Sequence, residues 1–156
     1  MEGSRGLILD KDIDVLCLKD GARLFGIALQ DVVELCIQPS IYQIPCLPDY
    51  FCGAFHYKGE VVPVVCLDPE TKEEQEYLPL LLVVKSSQGL FGIRLKKQPW
   101  ICTVRPTERV EDFDGKRNLD LWKYQDSYAV EEGILLLLDI EKSAASLTAF
   151  KNSRAG

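Results

Sequence analysis

The sequence predicts an all-β chain built as two small barrels, with one helix at the C-terminus. A hairpin pattern that occurs twice carries this expectation, together with a continuous apolar strand that follows each copy. Leu16 to Ile27 reads LCLKDGARLFGI, and Leu82 to Ile93 reads LVVKSSQGLFGI. The two align without a gap, Leu24-Phe25-Gly26-Ile27 falling on Leu90-Phe91-Gly92-Ile93, 66 positions apart. Each copy is an apolar run, a polar turn with glycine and a second apolar run, which is a β-hairpin signature. Gly21 and Gly89 suit the turns. Gly26 and Gly92 fall inside strand pattern, where glycine marks a bulge or the close approach of another backbone. Downstream, Val64-Val65-Cys66-Leu67-Asp68 parallels Leu135-Leu136-Leu137-Leu138-Asp139, 71 positions apart. Unbroken apolar runs fit strands covered on both faces.

The remaining elements follow in order. Gln30 to Cys36 fits one helical turn or a strand, since Val32, Val33 and Leu35 suit either. Pro69 to Tyr77 is acidic (Glu70, Glu73, Glu74, Glu76) and reads as the connection between the copies. Pro106 to Tyr128 is polar with scattered aromatics, Phe113, Trp122 and Tyr124, and reads as a second connection. Asp139 to Phe150 is the helix: Leu138, Ile140, Ala144 and Leu147 fall near helical spacing, and Ser143 to Ala149 are mostly good helix formers.

Composition narrows the function. The 156 residues are 47% hydrophobic and 27% charged, a globular balance. The net charge is −6, and no Lys/Arg cluster offers a footprint for phosphate backbones or anionic lipid headgroups. Nucleic acid and direct membrane insertion are therefore not expected. No apolar run approaches the length of a membrane span, and nothing after Met1 reads as a signal region, which predicts a cytoplasmic protein. The six cysteines lie mostly in apolar stretches and are read as reduced, buried small hydrophobes rather than disulfides.

Catalytic chemistry finds little footing. No two cysteines stand in CxxC spacing. His56 is the only histidine, and Cys52 with His56 is the only thiol–imidazole pair worth weighing, as a metal site or as nucleophile and base. Ordinary packing is the better account of both residues. Glu73-Glu74 and Glu131-Glu132 read as solvated loop charges, and no glycine-rich phosphate loop occurs. No catalytic residue, metal ligand or cofactor is assigned.

One stretch goes further. Ile44 to Asp68, IPCLPDYFCGAFHYKGEVVPVVCLD, resembles the CheW family signature: a proline, a spacer, a glycine, an Asn-Leu-Arg-Gly turn, and an apolar strand with an internal proline ending in Leu-Asp. Phe25 to Leu35 resembles the family's earlier strand and turn, and Gly133 to Lys142 its last strand and helix start. The resemblance implies one domain over residues 10–150, made of two tandem five-stranded SH3-like β-barrels with repeat copies starting near 16 and 82. It also implies a non-catalytic adaptor that couples the cytoplasmic tip of a chemoreceptor to the regulatory domain of a CheA-type histidine kinase, and assembles with other CheW-like proteins. Carried over position by position, Val32 and Glu34 face the receptor, Gly53 and Gly59 flank the turn, and Lys58 takes the place of the turn arginine. Lysine keeps the charge but loses the planar five-donor fork. Two alternatives stay open: a divergent scaffold of a non-chemotaxis array for motility or pili, and a small-molecule-binding double barrel.

Overall fold

The computed structural model describes residues 11–68, 77–111 and 121–155. The acidic stretch 70–76 and Phe113 lie outside the described residues. Among the described residues, eleven strands form two sheets. In chain order they are β1 (Ile13–Asp20), β2 (Arg23–Ala28), β3 (Val32–Ile37), β4 (Ile41–Tyr42), β5 (Phe51–Tyr57), β6 (Glu60–Val65), β7 (Leu80–Ser86), β8 (Gly89–Arg94), β9 (Trp100–Val104), β10 (Tyr124–Val130) and β11 (Gly133–Leu138), followed by helix α1 (Ile140–Ala155). The first sheet has the order β10-β11-β2-β1-β9 and the second β3-β7-β8-β6-β5-β4. We call the first barrel A and the second barrel B. Past β9, Arg109 bridges back to Tyr128, and the Val110 N–H donates to the Ser127 carbonyl at 2.9 Å, which closes barrel A onto β10.

The two barrels exchange strands. The first hairpin, β1–β2, lies in barrel A, yet the apolar strand that follows it, β6, joins barrel B beside β8. The second hairpin, β7–β8, lies in barrel B, and its apolar strand β11 returns to barrel A beside β2. Both joins are parallel, Val64 opposite Gly92 and Leu137 opposite Gly26. These registers place Val64 and Leu137 in equivalent positions, 73 residues apart rather than the 71 of the Leu-Asp match. A slip of two residues keeps every side chain on its own face, so the apolar pattern alone cannot detect it.

A core shared between the barrels explains the unbroken apolar runs. Along β1, Val15 and Cys17 point into barrel A, while Leu16 and Leu18 join a larger core shared with Leu82, Val84, Phe91 and Ile93 of barrel B. In β11, Leu135 and Leu137 face into barrel A, and Leu136 and Leu138 face the shared core. Each of these strands is therefore buried on both faces, and each buried leucine contributes about 2 kcal/mol of transfer free energy. Gly26 and Gly92 mark close approaches, but to side chains and not to backbone. A Cβ on Gly26 would lie 2.7 Å from Leu135 Cδ2, and one on Gly92 would lie 3.0 Å from Leu81 Cδ1.

Three expectations are corrected. Gln30–Cys36 is both of its alternatives in succession: a 3-10 turn at Leu29–Asp31 leads into β3. The polar stretch 106–128 is not only a connection. It contains the start of β10 at Tyr124, and Trp122 is 2% exposed in the shared core, its indole N–H donating to the Cys66 carbonyl at 3.3 Å. A single aromatic in a polar context gives no periodicity to read. The helix runs to Ala155, past the expected Phe150. Asp139 caps its start, its Oδ1 accepting from the Lys142 N–H at 2.9 Å. The Ser143 hydroxyl accepts from the Lys123 N–H at 2.9 Å, which fixes the helix to the Trp122 segment.

Candidate functional site

Barrel B carries the sequence-selected residues. Glu34 is on β3, Gly53 on β5, and Lys58-Gly59 form the two-residue turn between β5 and β6, closed by the pairing Tyr57↔Glu60. Lys58 has φ 49° and Gly59 φ 88°. Two positive φ values in a two-residue hairpin match the twist of the strands, and glycine meets that demand at the second position without steric cost.

The turn is tied to β3 through Tyr57. The buried Tyr57 ring ends in a hydroxyl that donates to Glu34 Oε1 at 2.5 Å. Lys58 Nζ lies 5.3 Å from the centroid of the same ring. Acceptance by Glu34, helped by burial and by the negative charge of the carboxylate, pushes the Tyr57 phenol up to about 12. Glu34, Tyr57 and Lys58 thus form one acid–phenol–ammonium cluster at the rim of barrel B. Sequence reading selected Glu34 and Lys58 and passed over Tyr57. The even spacing from Phe55 to Tyr57 along β5, which turns both rings into the barrel, is the signal that would have found it.

Val32 and Gly53 stand apart from that cluster. Val32 is half-buried against the shared core and pairs with Val84, with a bulge between it and Glu34. Gly53 is buried under β4: its φ is 148°, and a Cβ there would lie 2.3 Å from the Tyr42 carbonyl oxygen. Only glycine lets the Tyr42 backbone cross at that distance.

Barrel B also carries exposed apolar side chains. Val33, Ile37, Tyr42, Ile44 and Val61 are exposed, and all five belong to the β3–β6 region. Ile37 reaches 74% exposure and Val61 66%. His56 pairs with Val61 across β5–β6, and its ring meets Tyr42 edge-on at 5.2 Å. His56 therefore sits in a surface aromatic contact. Cys52 lies four residues earlier on the same strand, about 13 Å away at strand rise, too far for both to hold one metal or to act as nucleophile and base. Among the described residues, no three His, Cys, Asp or Glu side chains cluster as metal ligands. The cysteines are free thiols, Cys17 and Cys66 buried, and Cys46 exposed against the expectation of burial, because it sits in the irregular segment before β5.

An open groove runs between β6, β8 and α1. Its volume is about 360 Å³, with Phe51, Pro63, Val65, Phe91 and Leu147 among its lining residues. Glu60, Gln88 and Thr148 at its edge are all exposed, so no buried polar group converges on it.

These features define a protein of the double SH3-like barrel class, with its exposed large apolar side chains gathered mainly on one barrel. The family model of the CheW-like domain matches residues 14–147, and the chain belongs to that family. A curated relative, the chemotaxis protein CheW of Treponema pallidum (strain Nichols), is 22% identical over 102 residues. That match covers 61% of this chain and spans 60% of the relative's length. Among solved structures, the scaffolding protein TtCheW from Thermoanaerobacter tengcongensis superposes with a TM-score of 0.69 at 12% identity, covering 85% of this chain and 88% of that one. At that identity the likeness shows the fold. No helix among the described residues is long and apolar enough to cross a membrane.

Proposed function

We propose that this chain is a non-catalytic scaffold of a chemosensory array in the cytoplasm, which couples a chemoreceptor tip to the regulatory domain of a CheA-type histidine kinase. Membership of the CheW-like family supports the scaffold role. The observation that carries the contact face is the rim cluster Glu34–Tyr57–Lys58 together with the exposed Ile37, Tyr42 and Val61 of the same barrel. Exposed apolar side chains with an acid and an ammonium on the same barrel are the make-up of a protein interface: apolar area drives association, and the charges set orientation. Val32 and Gly53 act behind this face by holding β3 and β4 in place. The open groove, without buried polar groups, suits a helical segment better than a small molecule.

The test is calorimetric titration of the purified chain with the regulatory domain of its host's CheA, and separately with a soluble receptor-tip hairpin. Micromolar or tighter binding is expected to at least one, weakened by Lys58→Glu and by Val61→Asp in variants whose circular dichroism is unchanged. A folded chain that binds neither overturns the coupling role.

A further inference from the structure

Cys17 and Cys102 sit on neighbouring strands, and their sulfurs are 2.7 Å apart. The pairing of β1 with β9 places Cys102 opposite Val15, so Cys102 and Cys17 share the face that lines barrel A. The two are 85 residues apart in sequence. Their sulfurs are within an ångström of the ~2.05 Å of a disulfide bond. Cys17 is 1% exposed, whereas Cys102 is partly buried, on the last strand of its sheet.

The fold does not demand this pair. The equivalent positions in barrel B are Val83 and Cys36, one thiol facing a valine. A second thiol at position 17 therefore adds something that packing alone does not require, since valine fills the matching site.

We propose that Cys17 and Cys102 are a redox pair, which hydroperoxides convert to an intramolecular disulfide clamping β9 onto β1. Cys102, the less buried of the two, is the first for an oxidant to reach. Its sulfur, giving up the thiol proton, attacks one peroxide oxygen; the O–O bond breaks, leaving a sulfenic acid on Cys102 and releasing water or an alcohol. Cys17 then attacks the Cys102 sulfur. The S–S bond forms, the S–O bond breaks, and the departing hydroxide takes the Cys17 proton as water. Two thiols lose two electrons and two protons, and the peroxide accepts both. Burial and the adjoining Cys102 hold the Cys17 thiol well above its ordinary range, which keeps Cys17 as the resolving thiol and not the first to react. The inference stands apart from the coupling role and from barrel B.

The experiment treats the full chain with hydrogen peroxide, alkylates it in denaturant and maps its peptides without reduction. The expected product is one linked peptide pair containing Cys17 and Cys102. The melting temperature should rise by about 5 °C and return on adding dithiothreitol. Cys102→Ser should abolish both effects, and Cys36→Ser should leave both intact. The map of the unsubstituted chain decides the matter even where a Cys17 variant fails to fold. Recovery of alkylated Cys17 beside sulfinic Cys102, or of Cys46-linked dimers as the only disulfide, overturns the proposal.

Discussion

Barrels A and B share one plan and differ at their rims. Inside, the correspondence runs residue for residue: Cys17, Leu24, Cys102, Tyr128, Val130 and Leu135 of barrel A stand where Val83, Leu90, Cys36, Phe55, Tyr57 and Val62 stand in barrel B. Strand order is the same, and even the bulge recurs, between Phe51 and Gly53 on β5 and between Tyr124 and Asp126 on β10. At the rim the match ends. Trp100, Val130 and Glu131 occupy the places of Glu34, Tyr57 and Lys58. Among the described residues, a hydrogen-bonded acid and phenol therefore mark barrel B and not barrel A, and the short β4 flanks β5 of barrel B. The comparison teaches that interior volume is set by the shared scaffold, while recognition is written where the scaffold stops constraining the side chain.

The strongest test of that division is at the bulge. Gly53→Ala forces a Cβ against the Tyr42 carbonyl in a conformation that alanine disfavours, and should cost about 3 kcal/mol in urea unfolding. The equivalent Asp126→Ala removes only a half-exposed ion pair with Arg109 and should cost about 0.5 kcal/mol. Equal losses would mean that the Tyr42 carbonyl does not set Gly53 apart from Asp126. Next come the paired glycines. Gly26→Ala should cost about 2 kcal/mol and Gly92→Ala about 1 kcal/mol, because Leu135 crowds the first more tightly than Leu81 crowds the second.

Smaller effects sharpen the rim. Lys58→Asn should stabilise by about 0.5 kcal/mol, since asparagine accepts the positive φ of Lys58 better than lysine. Glu131→Asn, in a turn whose positive φ falls on Gly133 instead, should gain nothing. Last, the Tyr57 phenol should ionise near 12 in the ultraviolet difference between the wild-type chain and Tyr57→Phe, and fall toward its ordinary range in Glu34→Ala. Its folded value lies above the unfolded value of about 10, so its contribution to stability is complete below that pH and fades as pH rises toward 12. Val130 leaves barrel A with no counterpart to this titration.

The hairpins were legible because Leu-Phe-Gly-Ile recurs after turns of equal length, and the doubly buried strands because Leu135 to Leu138 leave no polar face. Strand exchange was not legible. Whether β6 sits beside β2 or β8 changes no residue's burial, so periodicity is silent on it. Trp122 and β10 hid in polar context, and Tyr57 hid because a strand aromatic reads as core whether or not its hydroxyl reaches a carboxylate. The Cys17–Cys102 contact was invisible for a related reason: it depends on pairing between strands 85 residues apart, not on spacing.

The exchange has a further consequence during synthesis. β2 meets its parallel neighbour only through Leu135, Leu136 and Leu137, near the C-terminal end of the chain. While the ribosome is still making the middle of the protein, the first hairpin has an open edge and an apolar face with no partner. Barrel B can assemble once β8 emerges, but barrel A must wait for the last strand. The nascent chain is thus most prone to mispairing late in translation, and a truncation before Gly133 should leave the N-terminal hairpin as an aggregation-prone edge rather than half of a working protein.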